Sequence, residues 1–278
     1  MTGSYRNYEI LIQSQKNCYS ADMNTVIPRA PWPESFPDVI VHGDLNIRNS
    51  HRDYAAAKSG DATAALNLVR DMLANDGMTS LQNLFKGQKP LVLPVAALEV
   101  TGFNAIPDAM AQEIARRLGL TAVSGTVVQS NKVAHTKSDG WHRLVTPAMF
   151  TGTIISGADY LLVDDHVCFG GTFANLRGYI EANGGHVLGV TTLTETSGAR
   201  KIAIRPKTQS VLQLRHGEKL DHFWKAVFGH GTECLTDIEA GYLSRVESLD
   251  AIRNRMAQAA ERARSSGLSP ITISCPRP

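Results

Sequence analysis

The amino-acid sequence predicts an α/β fold in which helices flank a parallel β-sheet. Three apolar runs are typical of buried strands: LVLPVA at residues 91–96, YLLVDD at 160–165 and VLGVTTL at 187–193. The first two runs are each followed by a loop and an amphipathic helical segment, and the second segment leads straight into the third run. Such a strand, helix, strand succession produces parallel strands joined by right-handed crossovers.

The helices are predicted from periodicity and from residues that suit helix ends. IPDAMAQEIARRLG carries Pro107 in its first turn, where a missing N–H costs nothing. TFANLRGYIEANGG ends at Gly184, a residue that tolerates the left-handed conformation of a helix terminus. Asp61 is a suitable N-cap for an amphipathic helix over residues 62–74.

The chain is predicted to have three parts. Residues 1–88 form an N-terminal extension with one amphipathic helix, and their first forty residues are proline-rich and irregular. Residues 89–206 form the α/β core with its Rossmann-like sheet. Residues 207–278 form a mainly helical tail, in which a broken helical segment precedes a strong helix that ends near Gly267.

Composition excludes several classes of protein. The 278 residues are 43% hydrophobic and 19% charged, which is ordinary for a folded domain. The 28 basic and 26 acidic residues are interspersed, so no nucleic-acid surface is indicated. Apolar runs fall far short of the roughly 20 residues of a membrane span. We therefore expect no membrane or nucleic-acid partner and a cytoplasmic location.

The four cysteines argue against a zinc site and a disulfide framework, because no pair has a CxxC spacing. We expect free thiols at Cys18, Cys168, Cys234 and Cys275. Cys168 is of interest because it lies within the segment that carries the predicted chemistry.

That segment begins where a predicted strand delivers two carboxylates, Asp164 and Asp165. A turn with Gly170, Gly171 and Thr172 then opens a helix. Small residues let backbone amides surround a phosphate, and the helix N-terminus adds unpaired N–H groups and a favourable dipole. Carboxylates would repel that phosphate, but they can accept hydrogen bonds from vicinal hydroxyls directly or hold them through Mg²⁺. The combination indicates a ribose 5-phosphate site.

The run YLLVDDHVCFGGT resembles the phosphoribosyl pyrophosphate (PRPP) binding segment of the type I phosphoribosyltransferases. The resemblance implies that Asp164 and Asp165 contact the ribose hydroxyls or Mg²⁺. It also implies that the 5-phosphate is bound by the following loop, which comprises Cys168, Phe169, Gly170, Gly171 and Thr172.

Neighbouring segments extend the resemblance to about residues 91–193. LVLPVAALEVTGFNAIPDAMAQEIARRLG is similar to the family's first strand, pyrophosphate loop and helix, particularly in its ComF-like branch. The implied pyrophosphate-loop residues are Ala97, Leu98, Glu99, Thr101 and Gly102. SNKVAHTKSDGWHR occupies the place of the family's flexible hood, and we interpret it as a mobile loop with Lys137 and Arg143 as catalytic cations and Lys132 as a weaker candidate.

Several alternatives stay open. Asp164 and Asp165 could be a structural pair that caps a neighbouring element, and the three hood cations could be solvated loop charges. A receiver domain fits less well because its acidic pocket lies near the first strand, and FGGTFANLRG lacks the G-x-G-x-x-G spacing of a dinucleotide fold. His166 is expected to fill space beneath the loop. The HRDY segment at residues 51–54 has no assigned role.

The resemblance implies a PRPP-dependent, Mg²⁺-requiring transferase. It would move ribose 5-phosphate to a nucleobase or similar small-molecule acceptor and release pyrophosphate. His166, Cys168 and Phe169 replace residues that are commonly small aliphatics or threonine in the family, so the acceptor stays open. The second hypothesis is a non-catalytic PRPP or nucleotide sensor on the same fold. A homodimer is compatible with either.

Overall fold

The computed structural model describes residues 28–99, 102–134 and 138–273. The strands in this part of the chain are β1 (Ile40–Val41), β2 (Leu91–Pro94), β3 (Leu98–Glu99), β4 (Gly102–Phe103), β5 (Thr121–Ala122), β6 (Val127–Gln129), β7 (Phe150–Gly152), β8 (Asp159–Val167) and β9 (His186–Glu195). Five of them form a sheet in the order β1-β9-β8-β2-β5, and every pairing in it is parallel. The predicted fold class is confirmed.

The helices of the described ranges are α1 (Leu45–Ser50), α2 (Tyr54–Lys58), α3 (Ala62–Met72), α4 (Asn75–Phe85), α5 (Ile106–Leu118), α6 (Gly140–Val145), α7 (Gly171–Ala182), α8 (Pro206–Phe228), α9 (Asp237–Leu243) and α10 (Leu249–Ser265). The Asp61 carboxylate caps α3 as predicted, accepting hydrogen bonds from the amides of Thr63 and Ala64. The break predicted in the C-terminal helical segment is a kink in α8 at Gly217, where φ is 60°.

Helices cover both faces of the sheet. On one face, α3, α4 and α5 pack Leu68, Leu81 and Ile114 against strand residues that include Leu161. On the other face, α7 packs Phe173 and its neighbours against β8 and β9. The region ahead of residue 89 therefore contributes one layer of the core, and it also supplies β1, which the sequence did not predict.

The C-terminal helices build a separate apolar cluster with α6. Trp224 of α8, Leu243 of α9 and Met256 of α10 are fully or almost fully buried there, together with Leu144 and Trp141 of α6. The tail thus reaches the segment that the resemblance assigns to the hood. It is mainly helical, as predicted.

The prediction of a mobile loop is wrong for the second half of the hood segment. Asp139 caps α6 by accepting a hydrogen bond from the His142 amide (2.7 Å). Trp141, Leu144 and Val145 then bury one side of this short helix in the C-terminal cluster. The interpretation failed because α6 is too short for periodicity to reveal, and its apolar residues lie at the end of a polar run.

None of the helices in the described ranges has the length and apolar composition needed to traverse a bilayer. Cys168 and Cys234 are free thiols, as predicted, whereas Cys18 and Cys275 lie outside the described residues.

Candidate functional site

A pocket of about 100 Å³ opens at the carboxyl end of β8, between the loop that follows this strand and the start of α7. Its walls contain Asp164, Arg143 and every residue from 166 to 173. The structure therefore brings one predicted carboxylate, one hood cation and the complete predicted phosphate loop into one cavity. The volume is that of a few water molecules, so it suits a phosphate-sized group.

The phosphate loop has the backbone geometry of an anion cradle. Gly170 is the N-cap of α7 with φ 78°, a left-handed conformation that favours glycine. The first hydrogen bond of the helix runs from the Ala174 amide to the Gly170 carbonyl (3.0 Å). The amides of Gly171, Thr172 and Phe173 thus precede the helical ladder at the positive end of a twelve-residue helix.

Asp164 and Asp165 lie on opposite faces of the sheet. Successive side chains of a strand alternate, and both residues belong to β8. Asp164 is half-buried and lines the pocket, where its Oδ1 also accepts a hydrogen bond from the Asp165 amide (2.8 Å). Asp165 is 5% exposed and points to the face covered by α2 and α5.

Two cations surround the Asp165 carboxylate. Arg48 Nη1 and Lys58 Nζ each lie 3.3 Å from its Oδ2, and Asn104 donates a hydrogen bond to Oδ1 (3.2 Å). Burial alone would raise the pKa of Asp165, but the positive charges of Lys58 and Arg48 outweigh it and hold the pKa below its ordinary value. These contacts agree with the alternative in which the carboxylate of Asp165 has a structural role.

The predicted Mg²⁺ role of Asp164 and Asp165 stays a prediction. Their carboxylates diverge, and one is already neutralised by protein cations. Within the described residues, no three acidic, histidine or cysteine side chains converge as metal ligands. Asp164 is the member of the pair that lines the pocket.

The predicted hood residues are not equivalent in the structure. Arg143 belongs to α6, and its guanidinium carbon lies 5.9 Å from the centre of the Phe169 ring, at the wall of the pocket. Lys132 is exposed and does not line the pocket. Lys137 lies outside the described residues, so its predicted role stays a prediction.

The predicted pyrophosphate loop follows β2, which pairs with β8. Ala97 and the backbones of Leu98, Glu99 and Gly102 are placed at this edge of the sheet, where β3 and β4 pair antiparallel. Ala97 does not line the pocket, and Thr101 lies outside the described residues. Their role in binding pyrophosphate stays a prediction.

His166 lines the pocket, and both of its ring nitrogens contact threonine hydroxyls. Its Nδ1 and Nε2 lie 2.9 Å and 3.1 Å from the hydroxyl oxygens of Thr194 and Thr196. Burial, followed by the positive charge of Arg48, lowers the pKa of His166. The neutral ring is therefore favoured at neutral pH, beside a site that would hold an anion.

Three pocket residues with hydrogen-bonding side chains were missed because they lie in the flanking parts of the chain or in the body of α7: Arg29, Asn175 and Glu239. Arg29 and Glu239 form a two-pronged ion pair, with Nη1 to Oε2 at 2.7 Å and Nη2 to Oε1 at 3.0 Å. Arg29 Nε also donates to Asn175 Oδ1 (2.6 Å). No short-range sequence pattern relates residues this far apart; Asn175, which follows the phosphate loop on the same helix, could have been suspected.

The C-terminal helices hold the phosphate loop in place. The Thr236 hydroxyl donates to the Phe169 carbonyl (2.6 Å), and the ring centres of Tyr242 and Phe169 are 5.3 Å apart. A Cβ on Gly140 would lie 2.6 Å from atoms of both rings, so α6 approaches them as closely as glycine permits. The tail therefore shapes a site whose predicted chemistry lies in the core.

No family model matches this chain. The chain is 45% identical over 235 residues to "Protein TraN" of Escherichia coli, an alignment that covers 84% of this chain and 52% of that protein. It is 36% identical over 152 residues to an uncharacterized protein of Haemophilus influenzae, covering 55% of this chain and 34% of the other. The chain thus spans about half the length of the first relative and about a third of the second.

Solved structures with a similar arrangement include two phosphoribosyltransferases. Adenine phosphoribosyltransferase from Rhodothermus marinus matches 50% of this chain and 76% of its own, at 19% identity and a TM-score of 0.32. Orotate phosphoribosyltransferase from Mycobacterium tuberculosis matches 52% and 67%, at 16% identity and a TM-score of 0.29. The ComF-like branch of the resemblance stays a prediction.

Proposed function

We propose that this chain binds PRPP in the pocket at the end of β8 and transfers its ribose 5-phosphate to a nucleobase or similar small-molecule acceptor, releasing pyrophosphate. The observation that supports the proposal is the convergence of the α7 amides, Asp164 and Arg143 on one cavity. A phosphate cradle and a carboxylate on the same wall match the two ends of a ribose 5-phosphate group.

In the proposed reaction, the bond between the anomeric carbon and pyrophosphate breaks, and its electron pair leaves with pyrophosphate. A nitrogen of the acceptor forms the new bond to that carbon and gives its proton to solvent. The α7 amides would hold the 5-phosphate, and Asp164 would accept hydrogen bonds from the ribose hydroxyls. Arg143 would offset the negative charge of the ligand at the pocket wall. Positioning of this kind supplies much of the barrier reduction in such transfers.

A second candidate function is a PRPP or nucleotide sensor without turnover. Two observations favour it: Asp165 is occupied by Arg48 and Lys58, and α6 is anchored in the C-terminal cluster by Trp141. A hood segment anchored in this way is less able to close over a reacting centre than a loop would be. The two candidates share the ligand and differ only in chemistry.

Calorimetric titration with PRPP, with and without Mg²⁺, tests the shared step. A panel of purine, pyrimidine and non-base acceptors, each followed for pyrophosphate release, separates the candidates. Asp164→Asn should weaken binding at least about tenfold, whereas Asp250→Asn, which removes an 84% exposed carboxylate from α10, should leave it unchanged. Binding with release for one acceptor supports the transferase. Binding without release across the panel supports the sensor, and no binding by the folded protein rejects both.

A further inference from the structure

We propose that Arg29 is a ligand of the phosphate in this pocket, and that Glu239 holds the guanidinium ready while competing with the phosphate for it. This inference rests on the proposed function and adds a binding residue from outside the segment that resembles the phosphoribosyltransferases. Arg29 precedes the first strand of the sheet, and Glu239 belongs to α9 in the C-terminal part of the chain.

The ion pair stands directly against the first residue of α7. A Cβ built on Gly171 would lie 2.6 Å from Glu239 Oε1 and 3.3 Å from Arg29 Nη2. Both side chains line the pocket together with the Gly171 and Thr172 backbone. A phosphate bound at the start of α7 would therefore share the pocket with the guanidinium.

Arg29 is buried and held in place by other side chains, and one N–H of its guanidinium can still donate to a ligand. Its side chain is 8% exposed, and Asn175 Oδ1 fixes the guanidinium by accepting from Nε at 2.6 Å. Nη2 carries two N–H groups, and among the described residues its only acceptor is Glu239 Oε1. The second N–H can serve a ligand oxygen, and such a charge-assisted bond is about twice as strong as a neutral one.

Glu239 supplies negative charge to this corner when no ligand is bound. Its carboxylate also accepts from the Thr236 amide (2.9 Å), which completes the capping box of α9. A phosphate entering the cradle meets repulsion from Glu239 and attraction from Arg29. Arg29 can bond the phosphate through its second Nη2 N–H while it keeps its bond to Glu239, so the two anions share one guanidinium.

The test compares the affinity for ribose 5-phosphate of the variants Arg29→Gln, Glu239→Gln and the double variant. Ribose, which lacks the phosphate, serves as the control ligand. Loss of Arg29 should weaken binding about tenfold or more, as expected for a bond to a charged group. Glu239→Gln should strengthen binding several-fold, because Arg29 then has the phosphate as its only anionic partner. The double variant should bind ribose 5-phosphate as weakly as Arg29→Gln. Arg200→Gln and Glu195→Gln, which break a surface ion pair outside the pocket, should leave affinity unchanged.

A purely structural ion pair predicts a different pattern. Either single change would then weaken binding to a similar extent, and the neutral double variant would recover. That pattern, or Arg29→Gln binding as tightly as wild type, overturns the inference while the proposed function stands. Absence of binding by the wild type overturns both. If Arg29→Gln does not fold, Arg29→Lys is the second variant. Lysine keeps the buried charge but lacks the planar guanidinium with its several N–H donors, so Arg29→Lys should still weaken binding.

Discussion

Asp164 and Asp165 are adjacent in sequence, yet one carboxylate lines the pocket and the other lies on the opposite face of β8 between Arg48 and Lys58. The two carboxylates therefore have different surroundings, although the sequence resemblance assigned both to the ribose hydroxyls or Mg²⁺. Asp164 faces the candidate ligand, and Asp165 joins the strand to the helices that precede it.

This division predicts opposite phenotypes for two conservative substitutions. Asp164→Asn should lower PRPP affinity at least about tenfold with little change in the free energy of unfolding. Asp165→Asn should lower the free energy of unfolding by about 3 kcal/mol or more, because it leaves buried Arg48 and half-buried Lys58 without their shared anion. Calorimetry with PRPP and chemical denaturation measure the two effects. Loss of PRPP binding in a fully stable Asp165→Asn variant would contradict the division.

Arg143 is predicted to act on the ligand rather than on the fold. Arg143→Gln should reduce PRPP affinity about tenfold, since it removes a charge from the pocket wall. Arg255→Gln is the matched control, because Arg255 makes the same kind of contact with Trp141 (5.8 Å) outside the pocket. Equal affinities for the two variants would remove Arg143 from the site.

Gly178 is predicted to be indispensable for docking the segment that carries Arg29. A Cβ at Gly178 in α7 would collide with the Pro28 carbonyl, so Gly178→Ala should cost about 1–3 kcal/mol of stability. Gly241→Ala in α9 is the control: its Cβ would meet only Thr208 Cγ2, at 4.0 Å, and alanine favours a helix by up to about 1 kcal/mol. Chemical denaturation should therefore show a lower free energy of unfolding for Gly178→Ala and a higher one for Gly241→Ala. A Gly178→Ala protein as stable as wild type would refute the close contact.

Two buried histidines predict loss of stability in mild acid. Burial lowers the pKa of His42 from 6.5 to about 4, and burial followed by the charge of Arg29 does the same to His230. Between these pH values the unfolded chain binds protons that the folded chain does not. The stabilising effect is complete above pH 6.5, declines as pH falls and is lost by about pH 4, with a slope near 1.4 kcal/mol per pH unit for each histidine.

Denaturation curves across this pH window measure the slope. His42→Asn should remove one histidine's share of it, whereas the same change at exposed His222 should not. An identical slope in all three proteins would show that His42 is not the group responsible.

The sequence predicted the sheet and the turn from β8 into α7 because their signals are local. β2, β8 and β9 contain apolar runs, and Gly170 with Gly171 marks the turn that opens α7. The divergence of Asp164 and Asp165 could also have been predicted, because both were assigned to one strand and strand side chains alternate.

Other features depend on contacts between distant parts of the chain. β1 is only two residues long and exists through its pairing with Thr191 and Thr192 of β9. Arg29 and Glu239 are 210 residues apart. Neither β1 nor the Arg29–Glu239 pair has a periodic sequence pattern that could predict its partner. The contribution of the flanking segments to the site could therefore be identified only from the structure.

A crystal structure of the protein with ribose 5-phosphate tests the central claim most directly. We predict phosphate density on the amides of Gly171 and Thr172, with the ribose hydroxyls within hydrogen-bond distance of Asp164. Density for the ligand at any other place, or an empty pocket in crystals grown at saturating ligand, would contradict the assignment of this pocket to a phosphoribosyl group.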